Sequence, residues 1–497
     1  MEALLAGAAL LADPMAIAAL VGGVLLGVVI GVLPGLGPAV GVSLALPLTI
    51  GMDQVPAITL LLGIYAGSIY GGSVTAILIN TPGTPSSAAS CLDGYPMARK
   101  GRVGEALGIA ALASVAGGIL SLLILAFAAP TIAQWALNFG PAEMLALVLF
   151  SLTCIASVSA GNQLKGLLAA LFGLFLAVVG QDVFSGEVRF DFGVFELAAG
   201  LSLVPLLVGL FALSEVFWRM GDPARSAGTG ALPSGFAFPR LGMVRRLAPT
   251  ILKSGVIGTL IGVLPGVGPT AASFVSYAEA RRASKTPEDF GKGAPEGLAA
   301  SEAANNAVTG GALVPTLALG VPGDPITAIM LGALVIQDIV PGPRLFTQHA
   351  DLVAALLLGL LIINLLMLPI AKYFAFLWRR LLSLPDALLM AGVVILIGVG
   401  IFTLNNSVLD LVTALVAGLV GYALRRAGYP LAPIIIGFVL GKLLEQNLRM
   451  GLIVFQGDWT RFAASPIAAG FLALTLGFLL WPPARRLWRK RSTKGTD

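Results

Sequence analysis

The chain has 497 residues, 57% of them hydrophobic and only 11% charged, against roughly a quarter charged in soluble domains. That composition excludes a soluble globular enzyme and indicates a polytopic membrane protein. The net charge of +5 is gathered in loops, so it reports membrane orientation and not nucleic-acid binding. Cys91 and Cys154 lack metal-ligand spacing and read as packing residues. With a single histidine, His349, and no HExxH pattern, neither a metal site nor a membrane metalloenzyme is expected. No Lys or Arg precedes Arg99, so the basic start of a cleaved signal peptide is missing.

In chain order, residues 16–33 are apolar, GVLPGLGP follows at Gly31–Pro38, and 39–52 are apolar again. A full crossing needs about 20 residues, so the short second arm suits a re-entrant hairpin. Residues 57–79 cross next and run into TPGTP at Thr81–Pro85, before a loop whose Arg99, Lys100 and Arg102 place it in the cytoplasm. Spans follow near 105–129, 141–160, 164–180 and 197–217, with Lys165 on one side and an acidic loop around Asp182, Glu187 and Asp191 on the other. The stretch 218–249 is rich in Gly, Pro and Ser, carries Arg219, Arg225, Arg240, Arg245 and Arg246, and reads as a cytoplasmic linker.

At residues 250–264 the pattern restarts. GVLPGVGP at Gly262–Pro269 repeats seven of the eight residues of the first motif at an offset of 231. A basic loop, ARRASKTPEDFGKG, follows so soon that this segment too is a hairpin, entered from the cytoplasm. Residues 297–341 cross, interrupted by VPGDP at Val321–Pro325. Further spans fit near 351–378, 386–404, 407–424, 430–445 and 465–481, with Arg379, Arg380, Arg425, Arg426 and the basic tail Arg485–Lys494 inside. The fold expected is an all-α polytopic membrane protein of two inverted-topology repeats with re-entrant hairpins and discontinuous helices. Its parts are a first repeat over 1–217, the linker 218–249, a second repeat over 250–484 and a cytoplasmic tail over 485–497. The inversion depends on an odd number of crossings in 297–341.

Each PGxGP must break its helix, because proline removes a donor and glycine adds slack, and in lipid the freed groups need partners inside the protein. The half-helix that resumes presents unpaired N–H groups and a partial positive charge, which favours an anion such as a carboxylate. Ser43, Thr49, Asn80, Thr81, Thr84, Thr270, Ser273 and Ser276 gather beside the breaks, either as site residues or back-bonded to their own helices. Glu302, Asn305, Asn306 and Thr309 share one helical face, and an intramembrane carboxylate beside amides suits a cation or a proton. Glu296 fits a helix first turn, Glu302 alternatively pairs with Lys292, and Asp324 either caps the half-helix after VPGDP or binds an ion. The GxG spacing lacks the strand and helix of a dinucleotide loop, and no cofactor is expected.

Taken together, GVLPGLGP with LPLT, YGGSVTAILINTPGTPSSAASCLDGYPMARKGRVGEALG, GVLPGVGP, SYAEARRASKTPEDFGKGAPEGLAASEAANNAVTGGALVPTLALGVPGDP and PGPRLF resemble the large membrane subunit of tripartite tricarboxylate transporters, the TctA family. Cys91 stands where the resemblance leads one to expect threonine. The resemblance implies a multi-pass protein of the bacterial inner membrane that takes up organic acids, driven by Na+ or H+ and not by ATP. Its partners would be a small four-helix membrane subunit and a periplasmic solute-binding protein, with a homodimer left open. The substrate positions carried over, with their polar neighbours, are Gly35, Gly37, Pro38, Ser43, Asn80, Thr81, Pro82, Gly83, Thr84, Gly266, Gly268, Pro269, Thr270, Pro322 and Gly323. The coupling-ion positions are Glu302, Asn305, Asn306 and Asp324. The other readings of the chain are a passive organic-anion channel, which would more readily use rings of like charge, and a membrane-embedded enzyme, for which no nucleophile–base pair is evident.

Overall fold

The computed structural model describes residues 2–33, 35–158, 163–221, 235–373 and 386–492. Pro34 of the first motif, Arg225 of the linker, Arg379 and Arg380, and Lys494 of the tail lie outside the described residues. Helices dominate, and among the described residues the strands are one antiparallel pair, Gly180–Gln181 with Val188–Arg189. Seven of the described helices are long and apolar enough to cross a membrane. The chain is a multi-pass membrane protein. It divides into two compact units, Met1–Gln134 with Ser202–Ala423, and Trp135–Leu201 with Leu424–Asp497, so each sequence half contributes to each unit.

The first unit contains both motifs. Helix α1 covers Glu2–Leu11 and α2 Pro14–Val32, whose start is fixed by Asp13 accepting the Ala16 N–H at 3.1 Å and by Pro14 in the first turn. At its end Leu33, the residue before proline, is pushed into an extended conformation (φ −83°, ψ 108°). Helix α3, Gly37–Ala45, then runs into a tight turn at Leu46–Thr49. Next come α4, Gln54–Ile79, and α5, Ala88–Arg99. Helix α6 is Val103–Ala136, and α7 (Pro141–Val158) and α8 (Gln163–Ala177) belong to the second unit. Helices α9, Leu203–Val208, and α10, Ser214–Met220, are joined by a wide π turn over Gly209–Leu213.

Helix α11, Leu241–Val263, begins inside the stretch that reads as linker, so Arg245 and Arg246 lie on its first turns. Leu264, again before a proline, is extended (φ −78°, ψ 114°), and α12 resumes at Gly268–Ala283. Then follow α13, Pro295–Leu319, α14, Pro325–Ile336, the single turn α15, Leu345–Gln348, and α16, Ala350–Tyr373.

Helices α4 and α13 form the centre: every residue over Val55–Leu78 and Gly297–Ala318 is buried. Glycine lets α2 lie backbone to backbone on α4. A side chain at Gly27 would come within 2.6 Å of the Ile64 carbonyl oxygen, and one at Gly67 within 2.7 Å of the Val24 carbonyl oxygen. In the second copy α11 packs on α13 the same way, Gly262 against Val308, Gly311 and Ala312. Ile77, near the end of α4, meets Gly94, which also touches Leu298 at the start of α13, whereas Tyr65 in the first half of α4 bonds Asp324 beyond the end of α13. The two central helices therefore run antiparallel.

In the second unit, α7 and α8 pack with helices Ala432–Val454 and Pro466–Ser492. Its acidic loop is fastened by charge: Arg449 bonds Asp182 at 2.8 Å and Glu445 at 2.9 Å, and Arg189 bonds Glu445 at 2.8 Å. Phe184 and Ser185 donate their backbone N–H groups to Asp182, and these bonds, the first above all, with Arg449, hold its carboxyl down to about 2.

Candidate functional site

Each PGxGP uses its residues in order. The proline drives its predecessor out of the helix, two glycines take positive φ (Gly35 86° and Gly37 51°; Gly266 81° and Gly268 71°), and the second proline opens the next helix. Each tip is held by one backbone bond to the neighbouring break: the Gly35 N–H donates to the Gly83 carbonyl at 3.3 Å, and the Gly266 N–H to the Gly323 carbonyl at 2.6 Å. Gly83 and Gly323 stand in the same place in their copies, so the repetition of sequence is a repetition of hydrogen bonding.

The two breaks also share a form. Helix α4 ends on Asn80 (φ 54°) and α13 on Gly320 (φ 68°), both left-handed. The chain then folds back beside the helix it has just left. Gly83 donates to the Gly72 carbonyl at 3.2 Å, and Gly323 to the Thr316 hydroxyl at 3.3 Å. A new helix starts there on a capping box, Thr84 with Ser87 in one copy and Asp324 with Thr327 in the other. It continues the direction of the old one: Gly94 of α5 lies against Ile77, and α14 runs from Asp324 at Tyr65 to Gln337, whose carbonyl accepts from the Gln54 side chain at 2.8 Å, so it passes α4 in the same sense as α13. The segment 297–341 is thus one interrupted helix path.

The residues singled out from sequence part into three groups. Gly35, Gly83, Gly266 and Gly323 are brought together in pairs, and Pro82, Pro322, Pro38 and Pro269 frame them. At Gly37 and Gly268 the space a side chain would enter holds no atom within 4 Å. Several hydroxyls follow the local alternative, Thr49 donating to the Leu46 carbonyl at 2.6 Å and Ser273 to the Pro269 carbonyl at 2.9 Å. Asn80, Thr81 and Thr270 are exposed, and Ser43 and Ser276 are buried with hydroxyls that have no protein partner.

Asp324 takes the capping role. One carboxylate oxygen accepts the Thr327 N–H at 2.7 Å and the other accepts the Tyr65 hydroxyl, so both are committed to protein donors. Glu296, in the first turn of α13, bonds Arg246 at 3.0 Å and Ser284 at 2.8 Å.

Glu302 is wholly buried and accepts the hydroxyls of Ser90 (α5) and Ser114 (α6), the latter at 3.0 Å. Among the described residues no cationic side chain pairs with it, and Lys292 is exposed. Beside it Asn305 has neither amide atom bonded to protein, and the Asn306 amide oxygen is also without a protein partner. Thr309 bonds back to the Asn306 carbonyl at 2.6 Å. An uncompensated buried carboxylate would be costly, so hydroxyl donors make this one tenable in either protonation state.

Reading the sequence alone missed Tyr65, Ser90 and Ser114, which act on residues more than 180 positions away. It also missed the ion pair Glu215–Arg219, 3.1 Å, which stands over the first tip: a side chain at Gly35 would come within 2.5 Å of the Glu215 carboxylate and 3.1 Å of the Arg219 guanidinium. The local signal was an i, i+4 acid–base pair on one helical face. Asn364, a lone amide in an apolar helix, was the other signal passed over. A cavity lined by Ile58, Leu62, Leu313, Leu317, Met330 and Leu360 among others is apolar throughout and offers a carboxylate nothing.

Residues 17–436 match the family model described as "Tripartite tricarboxylate transporter TctA family". An uncharacterized 52.8 kDa protein in the TAR-I ttuC' 3' region of Agrobacterium vitis is 40% identical over 436 residues, covering 87% of this chain and 86% of that protein. An uncharacterized protein in the TAR-II ttuC' 3' region of the same organism is 41% identical over 223 residues, 44% of this chain and 90% of its own length. No solved structure matches the chain. With the match running through both tips, both breaks and the Glu302 face, the chain belongs to the tripartite tricarboxylate transporter TctA family and is the membrane-spanning transporter subunit of a system with further subunits and a binding protein.

Proposed function

We propose that the chain takes up organic acids, tricarboxylates or dicarboxylates, across the bacterial inner membrane, with substrate delivered by a periplasmic solute-binding protein and a small four-helix subunit alongside. A Na+ or H+ gradient drives it. The observation that carries the reading is the pair of unwound tips, each hydrogen-bonded to its neighbouring break and each opening a half-helix at a glycine with open space before it. Backbone N–H groups at Gly37 and Gly268 can approach a carboxylate closely, and the partial positive charge of α3 and α12 favours it. Over the first tip stands the Glu215–Arg219 ion pair, which leaves the attraction for an anion to the backbone N–H groups. Glu302 carries the coupling, since it is the buried carboxylate held by hydroxyls and flanked by Asn305 and Asn306, while Asp324 fixes α14.

The antiparallel course of α4 and α13 supports insertion of the two halves in opposite senses, the arrangement in which tips enter from the two faces. A passive channel needs no internal repeat and no buried coupling group, so the transporter reading is the better one. Proteoliposomes holding this chain, its small partner and a binding protein are expected to concentrate a carboxylate only when a cation gradient is imposed. Equilibration without accumulation would favour the channel and overturn the proposal.

A further inference from the structure

Between Asp351 and Lys372, helix α16 is apolar except for one amide in the run LLIINLLML, Asn364, which is 1% exposed. Its nitrogen donates to the Leu360 carbonyl at 2.8 Å, and since a carbonyl can only accept, this bond fixes which way the amide faces. The amide oxygen is left without a protein partner, and it occupies the space that a side chain at Gly118 of α6 would need. Met367, one turn along α16, lies 3.8 Å from the amide nitrogen of Asn306. Ala303 and Gly310, which flank Asn306 on the same face of α13, meet Gly117 and Ser121 of α6. Three helices therefore converge near Gly117–Gly118 with two buried amides, each with its nitrogen bonded to a protein acceptor and its oxygen without a hydrogen-bond donor.

Buried acceptors left unpaired are costly. Two amide oxygens without donors repel an anion and suit a hard cation bound through oxygen. Both oxygens of Glu302, one turn before Asn306, are engaged by serines, so the amides offer neutral ligands and too little charge for a divalent ion.

We propose that Asn306 and Asn364, meeting over Gly118, form a sodium site. What the ion does there rests on the gradient-driven reading; where it binds does not. Purified chain in detergent is expected to gain thermal stability saturably with NaCl and not with choline chloride at equal ionic strength, because a ligand that binds only the folded state raises its stability. Asn364→Leu removes the oxygen, and Gly118→Ala places a methyl on it. Either should raise the half-saturating sodium at least tenfold, and Asn364→Asp, which keeps an oxygen, should retain the sodium response. A parent without a sodium-specific shift means that water fills the pocket and overturns the site, even if carboxylate uptake persists on a proton gradient. Parent-like half-saturation in both Asn364→Leu and Gly118→Ala overturns it as well. Sodium stabilisation lost in these variants, with no carboxylate taken up by the complete system, would sink the transport reading and leave the site standing.

Discussion

Asp93 fastens the two repeats together, and removing it should open the chain at a predictable place. It lies on α5 with its side chain buried, and one carboxylate oxygen accepts the backbone N–H groups of Gly291, Gly293 and Ala294 at 2.9, 2.8 and 2.8 Å. Those residues form the loop that leads into α13, the helix that carries Glu302. A hydrogen bond to a charged group contributes about 1.5–3 kcal/mol, and Asp93→Ala orphans three donors at once. With partial rehydration at Gly291, the net loss should be about 3–6 kcal/mol. At 1.4 kcal/mol per decade, the lower figure raises the open fraction of the loop by about two decades. Lys285 and Lys292 are exposed on that loop, so limited trypsin digestion of purified protein reads the opening directly. Asp93→Asn keeps an acceptor and loses the charge, and should speed cleavage only several-fold. Cleavage of Asp93→Ala at the parental rate would refute the reasoning.

Glu302→Gln should exchange substrate in counterflow while losing accumulation driven by a gradient; full accumulation would make the residue structural. Gly37→Val and Gly268→Val place a β-branched residue at φ 51° and 71°, strained although the space is open, so at matched membrane abundance transport should fall at least tenfold, about 1.4 kcal/mol. Normal uptake by both would reduce the tips to shaping elements. Single cysteines at Arg99 and Arg282 should resist an impermeant thiol reagent in whole cells, while those at Gln54 and Arg344 react, in a background lacking Cys91 and Cys154; position 344 behaving like 282 would end the inverted arrangement. For Asp182 the carboxyl is depressed to about 2, so its stabilisation of the loop is complete above the unfolded value of about 3.9 and lost as pH falls through about 2. Pepsin cleavage of that loop should stay flat down to about pH 4 and rise below it, whereas Asp182→Asn should loosen the loop at neutral pH; a variant as protected as the parent would contradict this.

The breaks were legible because their chemistry is local. A proline acts on the residue before it, and Leu33 and Leu264 sit where that rule puts them. Helix existence was legible too, since apolar runs of crossing length have few other uses. The end of the linker was not: α11 starts at Leu241, because Arg245 and Arg246 are good helix formers and an apolar stretch follows them. What sequence spacing cannot show is which distant hydroxyl reaches a carboxylate. Ser90 and Ser114 are ordinary small residues until α5 and α6 place them on Glu302. Asp324 could not be assigned from its position alone, and Tyr65, on the other repeat, decides the fate of its second oxygen. The compact units were hidden for the same reason, being made of pieces from both halves.

The glycine contact between α2 and α4 limits how the first hairpin can work. Gly27 and Gly31 of α2 touch the Ile64 and Ser68 carbonyls, and Gly63 and Gly67 of α4 touch the Val24 backbone, over the second half of the arm. A hinged flap swinging on its own would have to shear backbone from backbone and leave grooves that no side chain is present to fill. The arm and the central helix beneath it are therefore one stiff strut, and α11 with α13 is its counterpart. Just beyond the struts lie the Tyr65–Asp324 contact, from α4 to the cap of α14, and the Ser90–Glu302 contact, from α5 to α13. These hydroxyl–carboxylate pairs join the first sequence copy to the second, so whatever disturbs either carboxylate acts directly on the contact between the copies.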